Sequence, residues 1–310
     1  MSITRRTFSQ SVGLGLLGAA LPAWAQRLNI PVGHTGITWP WGNAPRTGPG
    51  PTSLTGPEPI ETVIADVASL GYRGIELFSW QIEGMEAHGG LGPLLAKHKL
   101  PLIGSYTGVN LTDTAQRPTM IAGAVATGKL VKKLGGTVIV IGPNGVRRDG
   151  YDFAANKANI VAALNEVGKA LTDLGLTPAL HQHTGTCVET RDETYAVMEA
   201  VDTRYMKFGP DIGQLQKGGA DPVKVVQDFL SIVHHVHLKD FSGGEAFLGY
   251  SPLGQGKVDL PAILAMMNGK KMDGMVMVEL DSSPNQPIAP KETASIAKAY
   301  LQKQGVALRA

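Results

Sequence analysis

Three pieces of one stretch decide the fold: PALHQHTGTCVET at 178–190, KFGPDIGQLQKGGADP at 207–222 and HHVHLKD at 234–240. Each is a short apolar run closing in residues that can bind a metal. His181 and His183 close the first, Asp211 the second, His235 and His237 the third. Thirty residues separate His181 from Asp211 and 26 separate Asp211 from His237, and each interval carries a helical apolar pattern. A parallel sheet with helical crossovers places ligands on one rim in this way. A fourth end follows at Val276-Met277-Val278-Glu279-Leu280-Asp281. A lone His at a strand end is commonly a hydrogen-bonded core or surface residue. Four ionisable ends in series predict instead that His181, Asp211, His237 and Glu279 converge on one divalent ion, because barrel active sites collect at the C-terminal strand ends.

Outward from that stretch the same alternation continues. Residues 28–39, LNIPVGHTGITW, read as the first strand, 73–78 as the second and 100–106 as the third. TVIVI at 137–141 is an uninterrupted apolar run, as expected of a fourth strand covered on both faces. Strands five to seven lie in the quoted stretch, and 275–280 is the eighth. Helical spacing fills the intervals at 60–70, 91–98, 120–134, 154–174, 193–201, 222–232, 260–267 and 293–304. The pattern predicts an α/β fold, a single (β/α)8 TIM barrel over residues 26–310. A doubly wound open sheet would want a glycine-rich phosphate turn after strand one. Here Gly33-His34-Thr35-Gly36 runs into Ile37-Thr38-Trp39-Pro40. The Pro- and Gly-rich stretches 40–59 and 243–257 read as loops, and Trp39 and Trp41 either wall a substrate site or pack the first of them.

The first 25 residues stand apart. Arg5-Arg6-Thr7-Phe8 precedes an apolar run over 12–21, and Ala23-Trp24-Ala25 supplies a small-x-small cleavage site. The run is too short to span a bilayer. The segment resembles a twin-arginine-type signal, with Ser9 where such signals often have Leu, and it predicts a periplasmic or secreted protein with no membrane partner after cleavage. Removing Arg5 and Arg6 leaves 26 basic and 26 acidic side chains. Zero formal charge and 6% aromatics argue against a nucleic-acid partner. Cys187 is the single cysteine, so no internal disulfide forms, and it reads as a small buried packing residue.

An Asp, a Glu and two His make a mixed oxygen and nitrogen site suited to Mn, Mg, Co, Zn or Fe. Without a thiolate and with positions left open, such a site is catalytic in character. It would hold substrate oxygens and polarise a carbonyl.

Gly74-Ile75-Glu76-Leu77, Asp211-Ile212-Gly213-Gln214, His235-Val236-His237-Leu238-Lys239-Asp240, Gly254-Gln255-Gly256-Lys257-Val258-Asp259 and Val278-Glu279-Leu280-Asp281 together resemble the xylose-isomerase-like TIM barrels, the sugar phosphate isomerase/epimerase superfamily. His181-Gln182-His183-Thr184-Gly185-Thr186 is most similar to the inosose dehydratase branch. The resemblance implies one metal ligand from each of strands five to eight, namely His181, Asp211, His237 and Glu279. Glu279 is then also the candidate base, with His183 as its alternative. Lys239 either stabilises an oxyanion or acts as an acid, or else it is a solvated partner of Asp240. Glu76 either binds substrate hydroxyls or makes a structural hydrogen bond. Gln214 stands where the family often has a substrate-binding His; its amide can donate a hydrogen bond but cannot carry a proton. His181 replaces the Glu that ketose 3-epimerases of this family carry. That tilts the expected reaction from two-faced epimerisation towards isomerisation or dehydration of a small unphosphorylated keto-sugar or cyclitol. The rival readings are a non-catalytic sugar-binding or accessory barrel and an endonuclease IV-type repair enzyme. Export and zero mature charge oppose the latter.

Overall fold

The computed structural model describes residues 27–39, 57–86, 89–282 and 286–309. The expected signal at 1–25 and Trp41 lie outside the described residues.

Eight parallel strands make the barrel: β1 (Val32–Thr35), β2 (Ile75–Phe78), β3 (Leu102–Val109), β4 (Val138–Pro143), β5 (Thr177–Leu180), β6 (Lys207–Phe208), β7 (Val236–Leu238) and, after a two-stranded insertion, β10 (Val276–Val278). The insertion is an antiparallel pair, β8 (Asp240–Phe241) with β9 (Tyr250–Ser251). Sheet order runs β6-β5-β4-β3-β2-β1-β10-β7, and single bridges Phe208 to Val233 and Asp211 to His237 bring the two ends together. The chain therefore folds as a (β/α)8 barrel.

The helices are α1 (Pro57–Ser69), α2 (Ser79–Glu86), α3 (Gly92–His98), α4 (Arg117–Lys133), α5 (Phe153–Asp173), α6 (Arg191–Met198), α7 (Ile212–Lys217), α8 (Pro222–Asp228), α9 (Leu260–Met267) and α10 (Pro290–Lys303). Alternation divides the strands between two cores. Ile139, Ile141 and Leu180 face the helices in the large outer core. Val138, Val140 and Ala179 face inward and form a small apolar layer with Tyr106. His181 lies two residues beyond Ala179, so it too points into the barrel, one step nearer the rim.

Two helices depart from the sequence expectation. α2 has only Gln81, Ile82 and Met85 buried, so its apolar pattern is faint. α7 is six residues long, too short for a helical period to show, and Asp211 caps it by accepting from the Gln214 N–H at 2.9 Å. The first strand is also shorter than read, because a 3₁₀ turn takes over at Gly36–Thr38.

Stretch 243–257 is not merely a loop. The buried Asp240 carboxylate accepts from four backbone N–H groups, those of Phe241 (2.9 Å), Gly254 (3.0 Å), Gly256 (2.8 Å) and Val258 (3.2 Å). A Cβ on Gly256 would lie 2.1 Å from Asp240 Oδ1, so only glycine lets the chain come this close. Asp240 is thus spent on folding this segment and is not the partner of Lys239.

Candidate active site

Backbone pairing fixes each functional side chain. The His181 N–H extends the β5 ladder to the Ile141 carbonyl (2.9 Å), and the His237 N–H reaches the Pro210 carbonyl (2.9 Å). The Glu279 N–H reaches the Leu238 carbonyl (3.1 Å) just past β10. With Asp211 Oδ1 held by its cap, Oδ2 turns inward. One donor atom from each of His181, Asp211, His237 and Glu279 lies within 4.8 Å of the others, and all four side chains are buried.

Lys239 sits in their midst, fully buried. Its Nζ is 2.6 Å from Glu279 Oε1, 2.8 Å from Asp211 Oδ2 and 3.0 Å from Asp281 Oδ1. Burial alone would lower its pKa, but Asp211, Asp281 and Glu279 outweigh that and hold the ammonium charged well above the usual lysine range. Gly213 makes room for it, since a Cβ there would meet Lys239 Cγ at 2.7 Å.

Glu76 lies one layer below. Its Oε1 is 2.9 Å from His237 Nε2 and its Oε2 is 2.9 Å from His235 Nε2. Burial would raise its pKa, but His237 and His235 hold it down to about 2. Burial likewise opposes the charge on Asp211, yet Lys239 and His181 bring it to about 2. The same competition, won by His237 and Lys239, keeps Glu279 well below the carboxylate range. Both Glu76 oxygens therefore face the two imidazoles, which places it in the structural one of its two expected roles and not the hydroxyl-binding one.

The donor set fits a divalent ion. Both ring nitrogens of His181, Nδ1 of His237, and Asp211 Oδ2 are buried without an aligned hydrogen bond. The 2.9 Å approach of His237 Nδ1 to Glu279 Oε2 and the 3.4 Å approach of His181 Nε2 to Asp211 Oδ2 are close without the alignment of a hydrogen bond. Donors that share one ion at about 2.0–2.2 Å each sit about 3 Å apart across a right-angled pair. Charge agrees: three carboxylates, Asp211, Glu279 and Asp281, surround the one ammonium of Lys239, and a fourth, Glu76, lies beneath against His235 and His237. The Glu76–His237 contact is the carboxylate–histidine arrangement that commonly orients a ligating imidazole.

Above this floor lies a pocket of about 220 Å³ lined by Ile37, Phe78, Tyr106, His181, His183, Leu248, Glu279, Asp281 and Ser282. A larger hollow of about 460 Å³ at the other end, around Arg27 and Arg73, holds none of these groups.

Three expected site residues are placed differently. His183 Nδ1 donates to the Thr184 carbonyl (2.7 Å), so its Nε2 is the acceptor, and the Gln214 amide donates to it (2.8 Å). Burial, then the charge of His181, lowers its pKa. With its lone pair taken, His183 is poorly placed as a base. Gln214 itself is fully buried, and its Oε1 accepts from Thr184 N–H (3.2 Å) and Oγ1 (2.7 Å). It fastens the His183 loop and is not turned to a ligand. Trp39 turns into the core, its indole N–H on Asp66 (3.1 Å) and its ring edge-on to His34 at 5.3 Å. The aromatic wall of the pocket is Phe78 and Tyr106. Asp281, two residues past Glu279 and hence on the same face, was legible in the VMVELD ending but had no role in the sequence reading.

The sequence profile of the xylose isomerase-like TIM barrel family matches residues 64–303. The chain belongs to that family. The inosose dehydratase of Clostridium botulinum is 24% identical over 272 residues, covering 79% of this chain and 89% of that protein. Two solved structures share the fold. The IOLI protein with a bound zinc atom superposes with TM-score 0.69 at 16% identity, covering 89% of this chain and 98% of that one. The 3-keto-D-glucoside 4-epimerase YcjR of E. coli has TM-score 0.60 at 13% identity, covering 88% and 99%.

Proposed function

We propose that this barrel is a divalent-metal-dependent isomerase or dehydratase that moves a proton next to the carbonyl of a small, unphosphorylated keto-sugar or cyclitol. The observation that carries the reading is the buried His181–Asp211–His237–Glu279 group on the floor of a pocket sized for one small ring. A divalent ion held by these four side chains would supply Lewis-acid polarisation of the carbonyl. Inosose dehydratases among the relatives and a keto-sugar epimerase among the structural neighbours support the substrate class.

The chain's own residues divide the remaining work. Lys239 brings a fixed positive charge to where an enolate oxygen would develop, and it can donate a proton to a departing hydroxide. Glu279 Oε1 already faces the Lys239 ammonium at 2.6 Å, and Glu279 is itself one of the four residues that would hold the ion, both of which weaken it as a base. Asp281 lines the pocket, is 17% exposed and touches Lys239 through Oδ1. It is the carboxylate best placed to take the proton from carbon and share it with Lys239. Phe78 and Tyr106 close the opposite side and limit water.

The test is solvent exchange. In D₂O the metal-loaded protein should exchange the proton α to the carbonyl of 3-keto-glycosides or inososes, and Glu279→Gln should abolish that exchange. Wild-type protein that holds metal yet shows neither exchange nor turnover would hand the site to the accessory-barrel reading. Export through the N-terminal signal is part of the proposal. Mature protein should begin near Gln26, and Arg5→Lys with Arg6→Lys should trap the precursor; an intact Met1 on exported protein would contradict it.

A further inference from the structure

The mouth of the pocket differs in chemistry from its floor. His181, His183, Glu279, Asp281 and Ser282 are polar, whereas Ile37, Phe78 and Leu248 are apolar. Ile37 and Leu248 belong to none of the apolar core clusters. Phe78 is half-buried at the rim and stacked on Trp80 with ring centroids 5.8 Å apart.

Leu248 is the unusual member. Among the described residues it is the exposed large apolar side chain, at 54%. It lies in the turn joining β8 and β9, where Phe247 (φ 50°, ψ 34°) and Leu248 (φ 61°, ψ 24°) are both left-handed. Neither is glycine, asparagine or aspartate, and such a conformation costs about 1–2 kcal/mol per residue. The turn is braced from outside: Lys217 Nζ donates to the Leu248 carbonyl (2.9 Å), and the Ser242 and Gly243 N–H groups donate to the Gly249 carbonyl (3.0 and 2.9 Å). Phe247 is buried with Tyr250 and Leu280. The effect of the left-handed pair is to anchor Phe247 and turn Leu248 over the pocket. Two successive non-glycine residues held left-handed beside a site point to a function for the side chain they present there, and that side chain is an apolar one at the pocket mouth.

We infer that Ile37, Phe78 and Leu248 form a second subsite, above the reacting ring, for an apolar substituent of the substrate such as an aryl aglycone. The inference deepens the proposed function and rests on it. The substrate class becomes a keto-glycoside carrying an apolar group, its hydroxylated ring on the charged floor and that group between Leu248 and Phe78.

The test compares methyl and phenyl 3-keto-β-D-glucopyranoside by calorimetric titration of the full-length, zinc-loaded protein and of Leu248→Asn. Asparagine tolerates the left-handed backbone while removing the apolar surface. Wild type should bind the phenyl glycoside about tenfold more tightly than the methyl glycoside. Leu248→Asn should bring the two within about twofold, through loss of phenyl affinity alone, with the thermal midpoint unchanged or raised. Equal binding of both glycosides by wild type, or a tenfold preference retained by Leu248→Asn, overturns the subsite and leaves the sugar site standing. No binding of either glycoside by wild type overturns the keto-glycoside class and the subsite, and the sugar reading itself falls when α-proton exchange on inososes is absent as well.

Discussion

The two halves of the rim are built to different rules. From β5 through β10 the strand ends deliver His181, Asp211, His237, Lys239, Glu279 and Asp281, all ionisable and packed within contact of one another. From β1 through β3 they deliver Ile37, Phe78 and Tyr106. One half holds charge and the other holds shape. Burying an ammonium among carboxylates is tolerable only when every member is paired, because a lone buried charge costs several kcal/mol. An apolar wall carries no such condition and can vary with the ligand. Substitutions on the charged half should therefore abolish function outright, and those on the apolar half should re-tune it.

The sharpest way to break this contrast is at the floor. His237→Ala should drop bound metal from about one ion per chain to near none, read by elemental analysis, with the barrel still folded by circular dichroism. Asp281→Asn should keep the metal and lose proton exchange by roughly 10²–10⁴-fold, the span expected for a lost acid–base group. Phe78→Leu should leave metal and exchange within severalfold of wild type and change the affinity for substrate. A Phe78→Leu loss as deep as that of Asp281→Asn would erase the distinction between the halves.

A smaller effect concerns pH. His34 is buried beside Trp39 and Tyr72, and burial lowers its pKa to about 4. The folded state keeps it neutral, while the unfolded chain takes up a proton below about 6.5, so the unfolded state binds more protons in that window. Stability should therefore be fully present above about pH 6.5 and fall by up to about 3 kcal/mol as pH drops to 4. Denaturant titrations of wild type and His34→Gln across that range check it, with the variant expected to show the flatter profile.

The smallest change expected is at Trp39. Trp39→Phe removes the indole bond to Asp66 and some core contact, and should cost about 1–2 kcal/mol of stability. Substrate affinity should stay within twofold. A tenfold change in affinity would return Trp39 to the pocket wall.

The sequence by itself determined the barrel and the membership of the metal-capable group. Both are written in local signals, namely apolar runs closed by ionisable residues and separated by one crossover each. Register follows from the same signals: Ala179 and His181 share a face because strands alternate every second residue. Tertiary structure alone decided what each ionisable side chain does. Lys239 and Asp240 are neighbours in sequence, yet Lys239 pairs with Asp281, 42 residues away, while Asp240 gathers the backbone of 254–258. Gln214 closes on His183 across 31 residues, Trp39 on Asp66 across 27, and Glu76 lies under the two histidines of β7 and its approach. At the end of a strand a side chain can lie along the rim, dip into the barrel or fold back on its loop. The choice among them is set by whichever charges and donors arrive from strands distant in sequence, and no local pattern encodes that arrival.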